Sequence, residues 1–326
     1  MLENTVRVPL CHLPTPVEDL TRLSQTLGGP RILVKRDDLT GLATGGNKAR
    51  KLEFLIADAL AQKATTVITA GAPQSNHARQ TAAAAARHGL QCVLVLGPLA
   101  PPTIQGNLLL DNLLGARVRW AGDLDRYTVM EQVAAEEHAA GRKPYIIPYG
   151  GSNAIGASAY ALAMDELVRQ ELQQGLHLEH ILLASSSGGT QAGMVTGARM
   201  LNFKGRILGI SVDKPSDALR RIILDLVQLT TAHLGLRFAI NPEEICINDN
   251  YLGGGYGVLG EAEREAIRLV ARTEGLLLDP VYTGRAMAGL IDLIRKGEFS
   301  REETILFWHT GGTPALFAYA DQFPTR

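Results

Sequence analysis

Short runs of β-branched and other apolar residues recur along the chain, each followed by a longer stretch whose apolar positions return every three or four residues. The short runs fall at 31–35, 65–70, 91–96, 116–120, 145–148, 180–184, 206–212, 244–247 and 304–309. Apolar runs of that length predict buried strands. Between them, residues 47–62 set Ala49, Leu52, Leu55, Ile56, Ala59 and Leu60 on one helical stripe. The same period marks 75–88, 125–140, 157–173, 190–201, 218–234, 260–274 and 283–296. Strands alternating with helices of this length need crossover connections, so the expected fold class is α/β, with mostly parallel twisted sheets flanked by helices. The strands can form one sheet or two, and the four within 49–155 read as a compact unit of their own.

At 326 residues the chain has room for two domains or one large one. Its 46% hydrophobic and 20% charged residues suit a folded protein with a sizeable core. Lys+Arg number 32 against 33 Asp+Glu, and no Lys/Arg run exceeds two, so neither a nucleic acid nor a membrane is an expected partner. No apolar stretch approaches the roughly 20 residues of a membrane span. The segment 1–13 carries Glu3 and Arg7 and no small-residue cleavage site, so it does not read as a signal peptide. Three widely spaced cysteines, Cys11, Cys92 and Cys246, argue against a disulfide framework or a Cys-based metal site, and a cytoplasmic location is expected.

Ligands of open α/β sheets sit where strands end and helices begin, because helix N-termini offer free N–H groups and a positive dipole end. Three such junctions stand out. Gly41-Leu-Ala-Thr-Gly-Gly-Asn-Lys48 precedes a helix, but Asn47 stands before Lys48 and Ala49 after it, so it is no ATP-binding P-loop. A lysine at a helix start opposes the macrodipole; that field and partial burial would favour the neutral amine a Schiff-base lysine requires. Thr69-Ala-Gly-Ala-Pro-Gln-Ser-Asn-His77 puts Ser75 and Asn76 where they can cap a helix or hold a substrate carboxylate. Ala184-Ser-Ser-Ser-Gly-Gly-Thr190 reads as a turn or as a cradle for one phosphate, since it lacks the dinucleotide glycine spacing. Further on, Tyr256 and Tyr282 stand in or beside glycine-flanked loops, and His309-Thr-Gly-Gly-Thr313 follows the last strand. His77 and His309 can be structural histidines, and no pair has metal-ligand spacing.

Taken together, these segments resemble the pyridoxal-phosphate enzymes of the tryptophan-synthase-β-like fold (fold type II), and within them the family of aminocyclopropane-carboxylate (ACC) deaminase and D-cysteine desulfhydrase. The resemblance rests on Lys35-Arg-Asp-Asp38, Gly45-Gly-Asn-Lys-Ala-Arg-Lys-Leu-Glu53, Gln74-Ser-Asn-His77, Ser187-Gly-Gly-Thr190, Gly255-Tyr-Gly257, Asp279-Pro-Val-Tyr-Thr-Gly284 and His309-Thr-Gly-Gly312, in family order over nearly the whole chain. It implies pyridoxal 5'-phosphate bound to Lys48 between a small domain, 49–155, and a large one, 1–48 with 156–326, in a homodimer. It implies that Asn76 meets the ring hydroxyl, that Ser187, Gly188, Gly189 and Thr190 hold the phosphate with help from Lys51, and that Ser75, Asn76 and His77 hold the substrate. Lys48, Ser75, Tyr256 and Tyr282 are then the catalytic set, and Thr283 and Thr310 stand near the pyridine nitrogen. The deaminases carry Glu and Leu at those last two positions; the threonines are desulfhydrase-like. A carboxylate would protonate the nitrogen and make a strong electron sink, whereas hydroxyls suit a substrate with a good leaving group on Cβ. One departure from the family is Val258-Leu-Gly-Glu261, where a proline commonly follows the Tyr-Gly-Val run.

The expected activity is β-elimination from a small amino acid, D-cysteine giving pyruvate, sulfide and ammonia, catalysed by a carbon–sulfur lyase. L-cysteate sulfo-lyase and ACC deaminase activity are the alternatives on the same scaffold. A non-catalytic phosphate- or nucleotide-binding module is the alternative from another class.

Overall fold

A computed structural model describes residues 6–323. Residues 1–5 and 324–326, which belong to the expected N-terminal segment and to the ends of the expected large domain, lie outside the described residues. In chain order the first elements are β1 (Val17–Asp19), α1 (Thr21–Leu27), β2 (Arg31–Arg36), α2 (Asn47–Ala61), β3 (Thr66–Gly71), α3 (Asn76–Arg87) and β4 (Gln91–Leu96). Then come α4 (Gly106–Leu113), β5 (Arg117–Trp120), α5 (Arg126–Ala139), β6 (Pro144–Ile146), α6 (Ala154–Gln174), β7 (His180–Ser185) and α7 (Gly189–Leu201). The last are β8 (Arg206–Ser211), α8 (Ser216–His233), β9 (Cys246–Asn248), α9 (Glu261–Glu274), α10 (Thr283–Arg295), β10 (Thr304–His309) and α11 (Pro314–Phe317).

The strands make two sheets, one of six in the order β1-β2-β10-β7-β8-β9 and one of four in the order β5-β4-β3-β6. Every pairing is parallel except β1 with β2 at the edge of the larger sheet. This is the α/β architecture, with mostly parallel sheets flanked by helices, that the sequence predicts. Period-two alternation sends neighbouring strand residues to opposite cores. Ile32, Val34, Leu182, Ile305 and Phe307 pack with α9 and α10, while Leu33, Ile181, Leu183, Leu306 and Trp308 pack with α6, α7 and α8. In the smaller sheet Val67, Leu94 and Leu96 face α2 and α3, and Ile68, Val93 and Val95 face α5. Each fully buried aliphatic side chain contributes roughly 1.5–3 kcal/mol.

The predicted strands and helices are all present, with ends shifted by a few residues; α6, for instance, starts at Ala154 rather than 157. Four elements were not anticipated: β1, α1, α4 and α11. The first and last are only three and four residues long, too short to show a period. In α4 the leucines do not mark one buried face, since Leu109 and Leu113 are exposed.

The first turn of α2 is fastened to the larger sheet by buried charge. Asp37, just beyond β2, accepts hydrogen bonds from Thr15 Oγ1 (3.0 Å), Arg50 Nη2 (2.8 Å), Tyr160 OH (2.5 Å) and Trp308 Nε1 (2.8 Å). Arg50 also reaches Glu166, which is itself paired with the fully buried Lys35. One carboxylate thus ties together β2, α2, α6 and β10.

Candidate active site

Lys48 is the second residue of α2, and the loop before it is held by the hydroxyl of Thr40, which accepts from Gly46 N (2.8 Å) and donates to Gly46 O (2.9 Å). Gly45 has φ +70°, and a Cβ there would collide with the Asp38 carbonyl, so only glycine serves at this turn. The Lys48 amine donates to Asn47 Oδ1 (3.3 Å). Burial lowers its pKa to about 8, and the opposing pull of Asp279 is the weaker influence. Desolvation is therefore the main cause of a near-neutral amine here.

Ser75 is the N-cap of α3, its hydroxyl oxygen accepting from Ala78 N (3.1 Å). Capping uses one lone pair and leaves the hydroxyl proton free to meet a ligand beside the helix N-terminus. Asn76 is oriented through its oxygen, which accepts from Arg79 Nη1 (3.1 Å) and Asn107 Nδ2 (2.9 Å). That leaves the amide N–H₂ as the donor on the site side. His77 Nε2 lies 2.9 Å from Thr69 Oγ1, and the Thr69 proton is given to Ile147 O. At that contact the ring must donate from Nε2, so Nδ1 carries a lone pair, and that buried atom has no hydrogen-bond partner. Burial, with Lys48 and Lys51 nearby, holds the ring neutral. His77 is thus a structural histidine whose ring borders the cavity.

Beyond β7, Gly188 (φ +80°) caps α7 and exposes the first N–H groups of that helix. Asn47 Nδ2 donates to Thr190 Oγ1 (3.1 Å), and Ser187 Oγ lies 2.8 Å from Ser152 Oγ, which also accepts from Gly189 N (3.3 Å). Lys51 stands behind this cradle, donating to Gly150 O (3.1 Å) and Ser152 Oγ (3.3 Å). Burial, and then the neighbouring Lys48, push its pKa well below the usual lysine range.

The remaining expected residues separate into two groups. Tyr282 and Thr310 join Asn47, Lys48, Ser75, Asn76, His77, Ser187 and Thr190 around one cavity. Tyr256 stands on the adjoining open cleft, its hydroxyl 2.5 Å from that of Tyr282 and the two rings edge-to-face. Thr283 is not among the residues around this cavity, and its hydroxyl donates to Asp279 Oδ1 (2.7 Å) and accepts from Asp279 N (2.7 Å). Of this pair, Thr310 borders the cavity.

Several participants escaped the sequence reading. Tyr149 lines both the cavity and the cleft, although it follows β6 with no motif to mark it. Ser152 holds the cradle from a neighbouring turn. Asp279 has its charge absorbed by the N–H groups of Val281, Tyr282 and Thr283, which fixes the start of α10. Arg285, almost fully buried, restrains the Tyr256 loop, donating to Gly255 O (3.0 Å), Val258 O (2.8 Å) and Val212 O (2.8 Å).

Pyridoxal phosphate combines a phosphate monoester, a flat ring with a hydroxyl, and an aldehyde. The cavity offers a helix-start cradle with hydroxyls, an amide donor at Asn76, a phenol ring at Tyr282 and a near-neutral amine at Lys48. Two buried polar atoms of its lining residues, Ser185 Oγ and His77 Nδ1, await partners. The residues fit the group. Among the described residues no cluster of three His, Cys, Asp or Glu could hold a metal ion, and no helix is long and apolar enough to cross a membrane.

Comparison with known proteins agrees. The family model for pyridoxal-phosphate dependent enzymes matches residues 8–311. The crystal structure of an ACC deaminase homologue is 39% identical in sequence, with a TM-score of 0.91, over 99% of this chain and 96% of that one. A threonine deaminase from T.th. is similar at 20% identity and TM-score 0.65, over 91% of this chain and 92% of that one. O-ureido-L-serine synthase is similar at 16% identity and TM-score 0.69, over 98% and 92%. The last two likenesses bear on the fold alone.

Proposed function

The chain belongs to the family of pyridoxal-phosphate-dependent enzymes, and from that premise we propose that it is a carbon–sulfur lyase that eliminates sulfide from D-cysteine, yielding pyruvate and ammonia. The observation that carries the reading is that, among the described residues, no Asp or Glu lines the cavity around Lys48, and the nearby Asp279 has both oxygens taken by the N–H groups of Val281, Tyr282 and Thr283 and the Thr283 hydroxyl. Pyridoxal phosphate, when bound, supplies an electron sink conjugated to the substrate α-carbon, and without a carboxylate at the ring nitrogen that sink is a modest one. A modest sink suffices where Cβ carries a leaving group, and serves less well for opening an unactivated cyclopropane.

In this reading the α3 start holds the substrate carboxylate, with the Ser75 hydroxyl and the N–H groups around Asn76 and His77 as donors. The α7 cradle, Ser152 and Lys51 hold the phosphate, whose charge would draw Lys51 back to its protonated form. Lys48 takes the Cα proton, since burial leaves its amine free to accept one near pH 8. Tyr282 and Tyr256 are donors rather than bases, because burial, with the neighbouring Tyr149 adding to it, pushes both phenols well above their usual range.

A second reading, ACC deaminase activity, is favoured by the 39% identity with the ACC deaminase homologue; the carboxylate-free lining speaks against it. L-Cysteate is supported less, because Lys214, a cation on the cleft wall, is already paired with Asp213 at 2.6 Å. A homodimer working in the cytoplasm, divided into a large domain (1–48 with 156–326) and a small one (49–155), belongs to the same proposal. The two separate sheets support the division, and the three free cysteines support the location. Purified protein incubated with D-cysteine, L-cysteate and ACC, and assayed for sulfide, sulfite and 2-oxobutyrate, tests the proposal. Sulfide is the expected product, and its absence alongside 2-oxobutyrate would replace the proposal with the second reading. Lys48→Ala should abolish turnover and the cofactor's bound absorbance.

A further inference from the structure

Three phenols from three separate elements meet where the inner cavity opens into the cleft. Tyr282 comes from the start of α10, Tyr256 from the loop before α9, and Tyr149 from the turn after β6. Tyr149 belongs to the lining of both spaces, whereas Tyr256 borders the cleft and Tyr282 the cavity. The turn that carries Tyr149 is fixed from behind. Lys51 donates to Gly150 O (3.1 Å), Gly151 N donates to Pro148 O (2.8 Å), and Gly150 and Gly151 both have positive φ. Tyr149 is close enough to both other phenols to help hold their protons on. Tyr256 and Tyr282 therefore present neutral O–H donors to whatever lies between Lys48 and the cleft, and Tyr149 adds a third hydroxyl beside them.

We propose that Tyr149 is a specificity-determining residue, donating a hydrogen bond to the Cβ substituent of the substrate. The inference rests on the β-elimination reading and deepens it. A substrate whose carboxylate is held at the α3 start, with Cα at Lys48, has its side chain as the part left to meet the phenols. When the Cβ–S bond breaks, both electrons go to sulfur, and a donor aimed there stabilises the charge as it develops. Neutral phenols suit a thiolate, a single compact acceptor, as the departing group. The hydrogen bond needs no co-reactant, because the proton remains on Tyr149.

The test compares wild-type holoenzyme with Tyr149→Phe on D-cysteine and on β-chloro-D-alanine, whose chloride departs without assistance. The ratio of kcat/KM for D-cysteine to that for β-chloro-D-alanine should fall roughly ten- to hundredfold, the range of a hydrogen bond to a charged group. In the same variant, tyrosinate absorbance during an alkaline titration should develop at lower pH, as the Tyr256–Tyr282 pair loses a neighbour. An unchanged ratio, with both substrates slowed alike or neither slowed, would overturn the inference and leave the lyase reading standing. A wild-type enzyme that eliminates from neither substrate would overturn the lyase reading and this inference with it.

Discussion

Lys48 shows how a single side chain acquires chemistry from its surroundings. Its place at a helix start and its burial act in the same direction, and burial is the stronger influence. The consequence is a pH dependence of known sign. An amine with a pKa of about 8 gains its reactive neutral form as pH rises through that value. Uptake of pyridoxal phosphate by apoprotein, followed by absorbance, should therefore accelerate with pH and level off above about 8. A rate still climbing through roughly pH 10, as for an exposed lysine, would show that the amine is not depressed. His77 teaches a related point: the contact that makes it structural also fixes which nitrogen is bare.

At the scale of elements, the site is a meeting of helix starts, each set by different chemistry. The start of α3 is capped by Ser75, that of α7 by a left-handed glycine, and that of α10 by the Asp279 carboxylate. The start of α2 instead depends on Arg50, two residues beyond Lys48 and bound to Asp37 and Glu166. Arg50→Met would leave the fully buried Asp37 without its ion-pair partner and Glu166 with Lys35 alone, and should cost about 3–5 kcal/mol of unfolding free energy. Urea denaturation measures this, and a loss under about 1 kcal/mol would show that the cluster relaxes without its guanidinium. Because that cluster carries α2, the variant should also bind pyridoxal phosphate more weakly.

For the whole molecule, the two sheets bring strand ends from distant parts of the chain to one place: β3, β7 and β10 each lead directly into a segment that lines the cavity. The carboxylates that tie these parts together set the acid limit of the fold. Hydrogen bonds from Arg142, followed by those of Arg117 and Thr66, hold Glu137 at about 2, against 4.5 for an ordinary glutamate. Burial pushes the Asp37 and Glu166 carboxyls up, but their ion pairs and hydrogen bonds outweigh it, so both also stay below their ordinary values. A folded pKa below the unfolded one means that the unfolded chain takes up protons first, so stability falls as pH drops. Thermal unfolding should be progressively easier from about pH 4.5 toward pH 2, the window set by Glu137. Glu137→Gln should lessen the slope there, and an unaltered slope would remove Glu137 as a contributor.

The alternation of strand and helix, the parallel sheets and the glycine- and serine-rich junctions were legible in the chain, because period and turn chemistry are local properties. The cofactor followed from motifs whose spacing reflects backbone requirements, such as the positive φ at Gly45 and Gly188. Convergence was not legible. Tyr149, Ser152 and Arg285 carry no local mark, and they reach the site or its restraints only because β6, α6 and α10 pack where they do. Thr283 shows the reverse, a motif residue whose hydroxyl is claimed by a neighbouring carboxylate that only the folded turn brings close. Periodicity determines which face of each element is buried; which side chains from separate elements then share one cavity depends on packing between residues far apart in the chain, and tertiary structure alone decides that.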